Sequence, residues 1–282
     1  MAGTRRGGIV AAGVSVSKEN GIARIVFDNP PINLFTIEEF LTTAQIVGDL
    51  SVDDSVRVVI LSSKNPQFFI AHFDVAAILT FPTDSPPATE LNAYHVMCEN
   101  LRTMPKATIA VIEGRVGGGG SELALSCDMR FALRASKKHP GAVFNQPEVA
   151  LGILPGGSGT QRLSRLIGRS RSLEVVLGCD DVDADTAEQW GWVNRTLPRK
   201  KLWKHVEGLA TRIASYPAHA VAEAKAAVLL AEKGFPADLL AEGNAFNRTL
   251  GGSGTREAME RFLANGGQTL DGELRLGDLT RP

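Results

Sequence analysis

Four consecutive glycines, in the stretch RVGGGGSELALSCD (115–128), constrain this chain more than any other feature of its sequence. Glycine loses more conformational freedom on folding than any other residue, so a run of glycines destabilises a fold unless the missing side chains are used. A continuous apolar run (107–114) predicts a strand before the glycines, and a helix-forming run follows with Glu122 in its predicted first turn. A helix N-terminus carries unpaired backbone N–H groups and partial positive charge. The sequence therefore predicts a site for negative charge here.

The known phosphate-binding motifs do not fit this stretch. No lysine follows the glycines, as GxxxxGK[ST] requires, and neither Asp128 nor Glu148 stands at the spacing that a dinucleotide-binding turn needs. Glu122 would also repel a bound phosphate. We therefore expect an oxyanion that exists only during a reaction, beside an acid that handles the proton.

A second glycine-rich stretch carries another candidate acid. In NQPEVALGILPGGSGTQRL (145–163), Glu148 follows Pro147, and glycine clusters surround a short apolar segment before the next predicted helix. Two carboxylates, one at each glycine-rich turn, are suited to hold one water and to divide acid and base roles. A third stretch, FFIAHFDVAAI (68–78), follows a strand and leads into a helix, so its backbone amides also point at a helix mouth.

The remaining patterns predict an α/β fold. Segments 22–30 and 56–63 predict strands, and segment 36–50 predicts a helix with Thr36 at its N-cap. Alternating strands and helices are typical of layered α/β architectures. After about residue 200 only helical patterns follow, and the last residues (272–282) are predicted to be loose.

Composition excludes several classes of function. The 282 residues carry a net charge of −1 with acids and bases interspersed, so no basic footprint for nucleic acid is visible. No apolar run is long enough to cross a bilayer, which argues against a membrane protein. The three cysteines are scattered and predict reduced thiols in a cytoplasmic protein, and neither cysteines nor histidines show the spacing of metal ligands.

Three stretches taken together, FFIAHFDV, GGGGSELALSCD and QPEVALGILPGGSGTQRL, closely resemble the crotonase superfamily, the enoyl-CoA hydratases and isomerases. The segment NPPINLF is similar to the family's first acyl-CoA loop, and the resemblance covers roughly residues 15–265. It implies an α/β fold, a crotonase-like spiral of ββα repeats with a C-terminal helical trimerisation region. It also implies a core with the acyl-CoA site over 15–205 and helices over 206–282 that pack a homotrimer or a dimer of trimers. The short Gly/Ala-rich stretch before them predicts a loose leader over 1–14.

The resemblance also implies site residues. The oxyanion hole falls on the backbone N–H groups of Phe73 and Gly119, the two acids are Glu122 and Glu148, and the amide of Gly156 helps to hold the water. The implied substrate-binding positions are Asn33, Leu34, Ala71, Asp74, Val75, Val116, Gly118 and Pro147. The implied reaction is syn addition of water to a 2-enoyl-CoA. One glutamate takes a proton from water and the other delivers a proton to the α-carbon, with no cofactor beyond the coenzyme A of the substrate.

The sequence departs from the family at the first oxyanion loop, where Ala71-His72-Phe73-Asp74 replaces the usual Ala-Gly-Ala-Asp. His72 is either an extra acid or base, or a side chain turned outward or hydrogen-bonded to a loop carbonyl, and we favour the second. The basic loop 134–143 is expected to be a solvated hairpin. Arg261 is the only cation where the family often carries lysines for the CoA phosphates, and Lys64 is an alternative contact.

These observations predict a lyase, an enoyl-CoA hydratase of lipid metabolism. The alternatives are another crotonase-type acyl-CoA enzyme (a double-bond isomerase, a decarboxylase or a thioester hydrolase) and a non-catalytic acyl-CoA-binding subunit. Many relatives with other chemistries lack one of the two glutamates, so the presence of both favours hydration. The apolar segments 76–82 and 96–104 are expected to shape the acyl pocket.

Overall fold

The computed structural model describes residues 10–11, 13–232 and 234–279. Within these residues the strands are β1 (Val10–Ala11), β2 (Val14–Glu19), β3 (Ile22–Phe27), β4 (Val58–Ser63), β5 (Phe68–Ile70), β6 (Ala107–Ile112), β7 (Arg115–Gly117), β8 (Met129–Leu133), β9 (Val143–Asn145), β10 (Val182–Asp183) and β11 (Arg195–Leu197). The helices are α1 (Ile37–Ser51), α2 (Val75–Ile78), α3 (Ala93–Thr103), α4 (Gly118–Leu125), α5 (Gly159–Ile167), α6 (Arg169–Gly178), α7 (Ala184–Trp190), α8 (Arg199–Ala214), α9 (Ala218–Leu229), α10 (Phe235–Leu250), α11 (Thr255–Ala264), α12 (Leu270–Leu274) and α13 (Leu276–Leu279). A 3₁₀ turn spans Glu148–Leu151.

The strands form two sheets between which the chain alternates. The larger sheet has the order β1-β2-β3-β4-β6-β8-β11 and is parallel from β3 onward, and the smaller has the order β10-β9-β7-β5 with β9, β7 and β5 parallel. Each of β4, β6 and β8 in the larger sheet is followed by a strand of the smaller sheet and then by helical segments. The expected spiral of ββα units is confirmed.

The central strands of the larger sheet are buried on both faces. In β4 and β6, alternate residues belong to two different clusters, with Val59 and Leu61 packing into the main core and Val58 and Ile60 packing toward α8. Helix α8 covers that second face with Leu202, Val206 and Ala210. A parallel strand covered on both sides needs a continuous apolar run, which is why the sequence pattern identified it.

The first predicted helix is confirmed as α1. Thr36 is its N-cap, and its hydroxyl oxygen accepts from the N–H of Glu39 at 3.2 Å while the Glu39 carboxylate accepts from the N–H of Thr36 at 3.1 Å. This reciprocal capping box satisfies two backbone donors that the helix itself cannot. The basic loop 134–143 is also as expected, a short hairpin bridged between Ser136 and His139 with exposed Lys137 and Lys138.

The C-terminal helices fold back over the core. Leu250, Met259 and Phe262 share a buried cluster with residues of α2 and of the 3₁₀ turn. The prediction that residues 272–282 are loose is wrong as far as Leu279, because α12 and α13 occupy this segment and the side chains of Glu273 and Leu276 are buried. Leu276 and Leu279 of α13 pack against this buried cluster, and Glu273 of α12 contacts the buried His72 side chain.

The predicted leader lies mostly outside the described residues, which omit 1–9 and residue 12. Val10 and Ala11 pair with β2 as an antiparallel edge strand, and Val14 is already part of β2. No described helix combines the length and the apolar character that spanning a membrane requires.

Candidate active site

The glycine run forms the first turn of α4. Gly117 is the N-cap and the helix starts at Gly118, whose φ is +45°. A side chain on Gly120 would place its Cβ 2.6 Å from the Cβ of Ile70 and 2.7 Å from the Ile70 carbonyl oxygen. The missing side chain therefore lets α4 pack directly on β5. The prediction that Glu122 lies in the first turn is wrong, because the helix already includes the glycines.

Two backbone amides meet beside this helix. Phe35 donates its N–H to the His72 carbonyl at 2.9 Å and accepts from the N–H of Asp74 at 3.0 Å, so the N–H of Phe73 points away from Phe35. Gly119 lies in the first turn of α4, where backbone N–H groups have no acceptor within the helix. A Cβ on Gly119 would lie 3.6 Å from the nitrogen of Phe73. Two neighbouring amides of this kind are what an oxyanion hole requires.

Glu122 is a buried acid held by the second glycine-rich turn. One carboxyl oxygen, Oε1, accepts from the backbone N–H groups of Gly157 and Gly159, both at 2.8 Å, and the side chain is 4% exposed. A Cβ on Gly157 would lie 2.3 Å from Glu122 Oε2, and a Cβ on Gly159 would lie 2.8 Å from Oε1. The glycines at 157 and 159 thus give the carboxylate room to reach the backbone.

Glu148, from the second glycine-rich stretch (145–163), lies beside the N-terminus of α4. It begins the 3₁₀ turn after Pro147 and is 8% exposed. A Cβ on Gly118 would lie 3.2 Å from Glu148 Oε1, which places this acid at the start of α4. With its amide oriented to satisfy its neighbours, Gln146 donates to both carboxyl oxygens of Glu148, at 3.1 and 3.2 Å.

The two acids line one cavity of about 300 Å³, together with Phe73, Gly119 and Gly156. Most of its remaining lining is apolar and largely aromatic: Phe40, Ile78, Phe81, Tyr94, Ile153 and Phe246. Such a cavity, apolar with a few convergent polar groups, is typical of a small-molecule site. In the part of the chain that the structure describes, no group of three or more His, Cys, Asp or Glu side chains is arranged to hold a metal ion.

The surroundings of the two acids raise both pKa values. Burial, followed by the negative charge of Glu242, raises the pKa of Glu122 to about 8, although its two N–H donors and Arg162 act in the opposite direction. Burial, followed by the charge of Glu122, raises the pKa of Glu148 well above its usual value. Interacting acids of this kind titrate as a pair. Ionisation of one acid opposes ionisation of the other, so the two are not both ionised near neutral pH.

His72 is engaged in contacts that leave neither ring nitrogen free. Its side chain is buried, with Nδ1 2.8 Å from the carbonyl oxygen of Phe73 and Nε2 3.0 Å from Glu273 Oε1. The favoured contact with a loop carbonyl is confirmed, whereas the outward orientation is not found. Burial acts to lower the pKa of His72, but the Glu273 carboxylate outweighs it and the pKa is raised. His72 therefore links the loop 71–74 to α12.

The predicted substrate-binding positions fall into distinct settings. Gly118, Val75 and Pro147 line a second, smaller cavity that lies between His72 and Glu148. The described structure buries Val116 within the main core. Any contact between Val116 and a ligand would therefore involve its backbone.

The other predicted positions shape the loops before β5 and α2. The side-chain amide of Asn33 is buried and donates to Ser63 Oγ at 2.7 Å and to the Phe69 carbonyl at 3.0 Å. Leu34 packs on a small cluster that contains Ala71. The carboxylate of Asp74 caps α2 and also accepts from the Gln268 side chain at 2.8 Å. These contacts fix the path of the backbone on either side of Phe73.

Sequence reasoning missed several residues of the site. Tyr94 lines the cavity and donates its hydroxyl to the carbonyl of Gly119, and burial raises the pKa of Tyr94 well above its usual value, so it stays a neutral donor. Ile78 and Phe81 come from the predicted segment 76–82, but no residue of 96–104 lines the main cavity. Phe246 reaches the cavity from α10, far along the chain, with no local signal in its sequence.

Comparisons with known proteins show the family of this chain. Residues 17–268 match the family described as enoyl-CoA hydratase/isomerase. A crotonyl-CoA hydratase of Syntrophomonas wolfei is 31% identical over 89% of this chain and 94% of its own length, and a short-chain-enoyl-CoA hydratase of Clostridium acetobutylicum is 29% identical over the same shares. A crystal structure of a candidate enoyl-CoA hydratase from Streptomyces avermitilis is 35% identical, with a TM-score of 0.86 over 96% of this chain and 98% of that one.

Proposed function

Because this chain belongs to the enoyl-CoA hydratase/isomerase family and is a hydro-lyase, we propose that it adds water to the double bond of a 2-enoyl-CoA. The observation that carries the proposal is the cavity in which two buried acids, Glu122 and Glu148, lie beside the paired amides of Phe73 and Gly119. The names of the two relatives favour a short acyl chain.

In the proposed reaction the amides of Phe73 and Gly119 donate to the thioester oxygen. Water adds its oxygen to the β-carbon, and the electron pair of the double bond moves toward the thioester, whose oxygen gains negative charge. Donors already aimed at that oxygen stabilise the charge without reorganisation. One glutamate removes the proton of the attacking water, and the other protonates the α-carbon on the same face. Atoms and charge balance, and the product is a 3-hydroxyacyl-CoA.

We assign the base to Glu122 and the acid to Glu148. The backbone N–H groups of Gly157 and Gly159 donate to Glu122 and stabilise its carboxylate. Glu148 accepts from the side chain of Gln146 and not from the backbone of the glycine loop, and we propose that it is the partner that keeps its proton. Gly156 lies next to Gly157 in the cavity wall and is proposed to help hold the water.

The substrate-binding role of the loops around Phe73 belongs to the same proposal. Asn33 and Asp74 hold the backbone that precedes and follows the oxyanion loop, and Gly118, Val75 and Pro147 surround the space beside Glu148. We propose that CoA is present only as part of the substrate and that no further cofactor takes part.

We also propose a homotrimer or a dimer of trimers in the cytoplasm. Helix α9 buries none of its residues within this chain, and Val228 and Leu230 are 72% and 74% exposed. Apolar side chains on such a helix favour contact with a neighbouring subunit. Cys98 and Cys127 are free and buried, in keeping with a reducing compartment. Light scattering on the purified protein tests the assembly.

The test is hydration of crotonyl-CoA and of a longer 2-enoyl-CoA, followed by the absorbance of the conjugated thioester and by identification of the 3-hydroxyacyl product. We expect Glu122→Gln and Glu148→Gln each to lose about a hundredfold to ten thousandfold in kcat. The exposed Glu260→Gln on α11 is the matched control and is expected to retain wild-type activity. Bound CoA esters without turnover by the wild type, or variants as active as the wild type, would overturn the proposal.

A further inference from the structure

Two buried carboxylates accept hydrogen bonds from different backbone N–H groups of the second glycine-rich turn, residues 157–161. Glu122 accepts from the N–H groups of Gly157 and Gly159, both at 2.8 Å. Glu242 accepts from the N–H of Ser158 at 2.6 Å and from the N–H of Gln161 at 3.2 Å. The hydroxyl of Thr160 also donates to Glu242. The mouth of α5 is therefore fixed from the active-site side by one acid and from behind by the other.

Glu242 comes from α10, 84 residues along the chain from Ser158, and is 4% exposed. It does not line the main cavity, whereas Phe246, one turn further along α10, does. His95 of α3 contacts it from the other side, with Nε2 3.1 Å from Glu242 Oε2 and a fully buried ring. A side chain so enclosed cannot contact the substrate, but it can set the position of the turn.

The contact between Glu242 and Ser158 stabilises an unusual backbone conformation in the turn. Ser158 has φ +95°, a left-handed conformation that is costly for a residue with a side chain and persists only where the surroundings enforce it. Glu242 holds the Ser158 N–H, and Arg162 Nε holds the Ser158 hydroxyl at 2.7 Å. With Ser158 fixed in this way, the N–H groups on either side of it both point at Glu122.

The charge of Glu242 also acts on Glu122. Of the charged groups facing Glu122, Glu242 is the largest contributor to its raised pKa, and Arg162 acts against it. Glu148, Tyr94 and Cys98 are the other titratable groups coupled to Glu122. Removing the negative charge of Glu242 therefore lowers the pKa of Glu122.

We propose that Glu242 is a positioning residue of the hydration site, which fixes the mouth of α5 so that the amides of Gly157 and Gly159 hold the Glu122 carboxylate in its working orientation. The proposal rests on the function proposed above for Glu122. It extends the site to the C-terminal helical region, because α10 supplies both Phe246 in the cavity wall and Glu242 behind the turn.

The decisive variant is Glu242→Gln, which keeps the length of the side chain but loses its charge and one of its two acceptors. We expect kcat for crotonyl-CoA to fall by up to about a hundredfold with little change in KM, since a small misplacement of a catalytic group has effects of this size. We also expect the acidic limb of kcat/KM to move to lower pH, because the base ionises more readily. A residue with only a structural role would not move that limb.

Two further variants separate charge from geometry. Glu242→Asp keeps the charge but shortens the side chain by one methylene. We therefore expect kcat to fall while the acidic limb of kcat/KM stays near its wild-type position. This variant also tests the inference if Glu242→Gln does not fold. Asp238→Asn is the matched control, because Asp238 is an acid on the same helix that pairs with Arg165 of α5 at 2.6 Å without touching the turn. It is expected to retain wild-type kcat and pH dependence.

Hydrogen exchange of the segment 155–163 provides a readout that does not depend on turnover. We expect faster exchange in Glu242→Gln than in the wild type or in Asp238→Asn. If the wild type hydrates no 2-enoyl-CoA, the proposed function fails and exchange alone decides the role of Glu242. The inference is overturned if Glu242→Gln leaves kcat, the acidic limb of the kcat/KM profile and hydrogen exchange unchanged. It is also overturned if Asp238→Asn loses as much kcat as Glu242→Gln and neither variant moves the acidic limb.

Discussion

At the scale of single residues, the surroundings of Glu122 set its charge. Transfer of a carboxylate from water into a buried site is costly unless hydrogen bonds replace its hydration. Gly157 and Gly159 supply two such bonds, yet the pKa of Glu122 remains at about 8, because burial and the nearby Glu242 outweigh them. Hydrogen bonds hold the Glu122 carboxyl group in place, and its neighbours keep its pKa close to neutral pH. A group that accepts and releases protons reversibly at physiological pH needs such a pKa.

This arrangement predicts a stability cost that depends on pH. Between the ordinary pKa of 4.5 and the folded value of about 8, the folded state keeps a proton on Glu122 that the unfolded state has released. The free energy of unfolding therefore falls as pH rises through this window. Glu122→Gln cannot ionise but keeps the oxygen that accepts from the two amides. We expect its thermal midpoint to exceed that of the wild type at about pH 8 and to lose that advantage toward about pH 5.

Scanning calorimetry at several pH values measures this difference, with Glu260→Gln as an exposed control that should follow the wild type. Parallel pH profiles for the wild type and Glu122→Gln would contradict the raised pKa. A variant that is inactive but more stable would be a case of function maintained at the expense of stability.

Sequence reasoning brought together residues that stand in recognisable motifs and missed those that do not. Glu122 and Glu148 stand in glycine-rich motifs that resemble a known family, and the structure places both in the wall of one cavity. Glu242 accepts from Ser158 across 84 residues. Nothing in the helical pattern around Glu242 indicates that its side chain is buried, because an acid on an amphipathic helix is usually solvated.

At the scale of elements, the junction of β7 and α4 joins the fold to the chemistry. The glycines of its first turn have separate physical duties, since Gly120 faces the backbone of β5 while Gly119 faces Phe73 and Tyr94. A helix with this many glycines has poor intrinsic propensity, so tertiary packing on β5 must stabilise it. The strand–turn–helix order was predictable from the sequence. The start of the helix at Gly118 was not, because propensity argues against a helical run of glycines.

Alanine substitutions should separate these duties. In Gly120→Ala the new Cβ meets the Ile70 carbonyl oxygen at 2.7 Å, which cannot yield as a side chain would, and we expect a loss of about 1–3 kcal/mol in the free energy of unfolding. In Gly119→Ala the nearest atoms are the Cβ of Phe73 at 3.2 Å and the hydroxyl of Tyr94 at 3.3 Å, which need to move by only a few tenths of an ångström, so we expect a smaller loss of stability than in Gly120→Ala. Its methyl group intrudes beside the Phe73 amide, and we expect kcat/KM to fall by about a hundredfold.

Urea unfolding and crotonyl-CoA kinetics on the same preparations provide both measurements. Gly48→Ala in α1 is the control, because a Cβ there meets nothing within 4 Å; it should gain about 0.5–1 kcal/mol from helix propensity and keep full activity. Equal stability losses at positions 119 and 120, or full activity of Gly119→Ala, would contradict the division of duties.

At the scale of the whole molecule, the C-terminal region completes the site in its own chain. The sequence indicated that this region is helical. An apolar helix face, however, does not show which part of the protein packs against it. The structure places Phe246 in the cavity wall, Glu242 behind the second turn and Glu273 against His72. These contacts join segments as far as 201 residues apart, so no local pattern could reveal them.

The contact between α12 and the loop 71–74 predicts a second pH effect, which arises from a stabilising ion pair between His72 and Glu273. The pKa of His72 is raised above 6.5, chiefly because the charge of Glu273 outweighs burial, and that of Glu273 is lowered below 4.5 by His72 despite its burial. The His72 contribution to stability is present below pH 6.5 and is lost as pH rises through its folded pKa; the Glu273 contribution is present above pH 4.5 and is lost as pH falls through its own. The pair is therefore most stabilising between these two values.

Glu273→Gln should reveal this window, since it leaves a buried His72 without its charged partner. We expect a loss of about 3 kcal/mol in the free energy of unfolding at about pH 5.5, and a smaller loss once the pH exceeds the folded pKa of His72. Urea unfolding across this range measures the difference, and the exposed Asp271→Asn on the same helix should show little effect at any pH. A loss that is constant with pH would mean that Glu273 acts only as an acceptor for the Gln268 N–H at 2.6 Å. A loss that shrinks as His72 deprotonates would make the ion pair itself the contact that holds α12 against the loop 71–74.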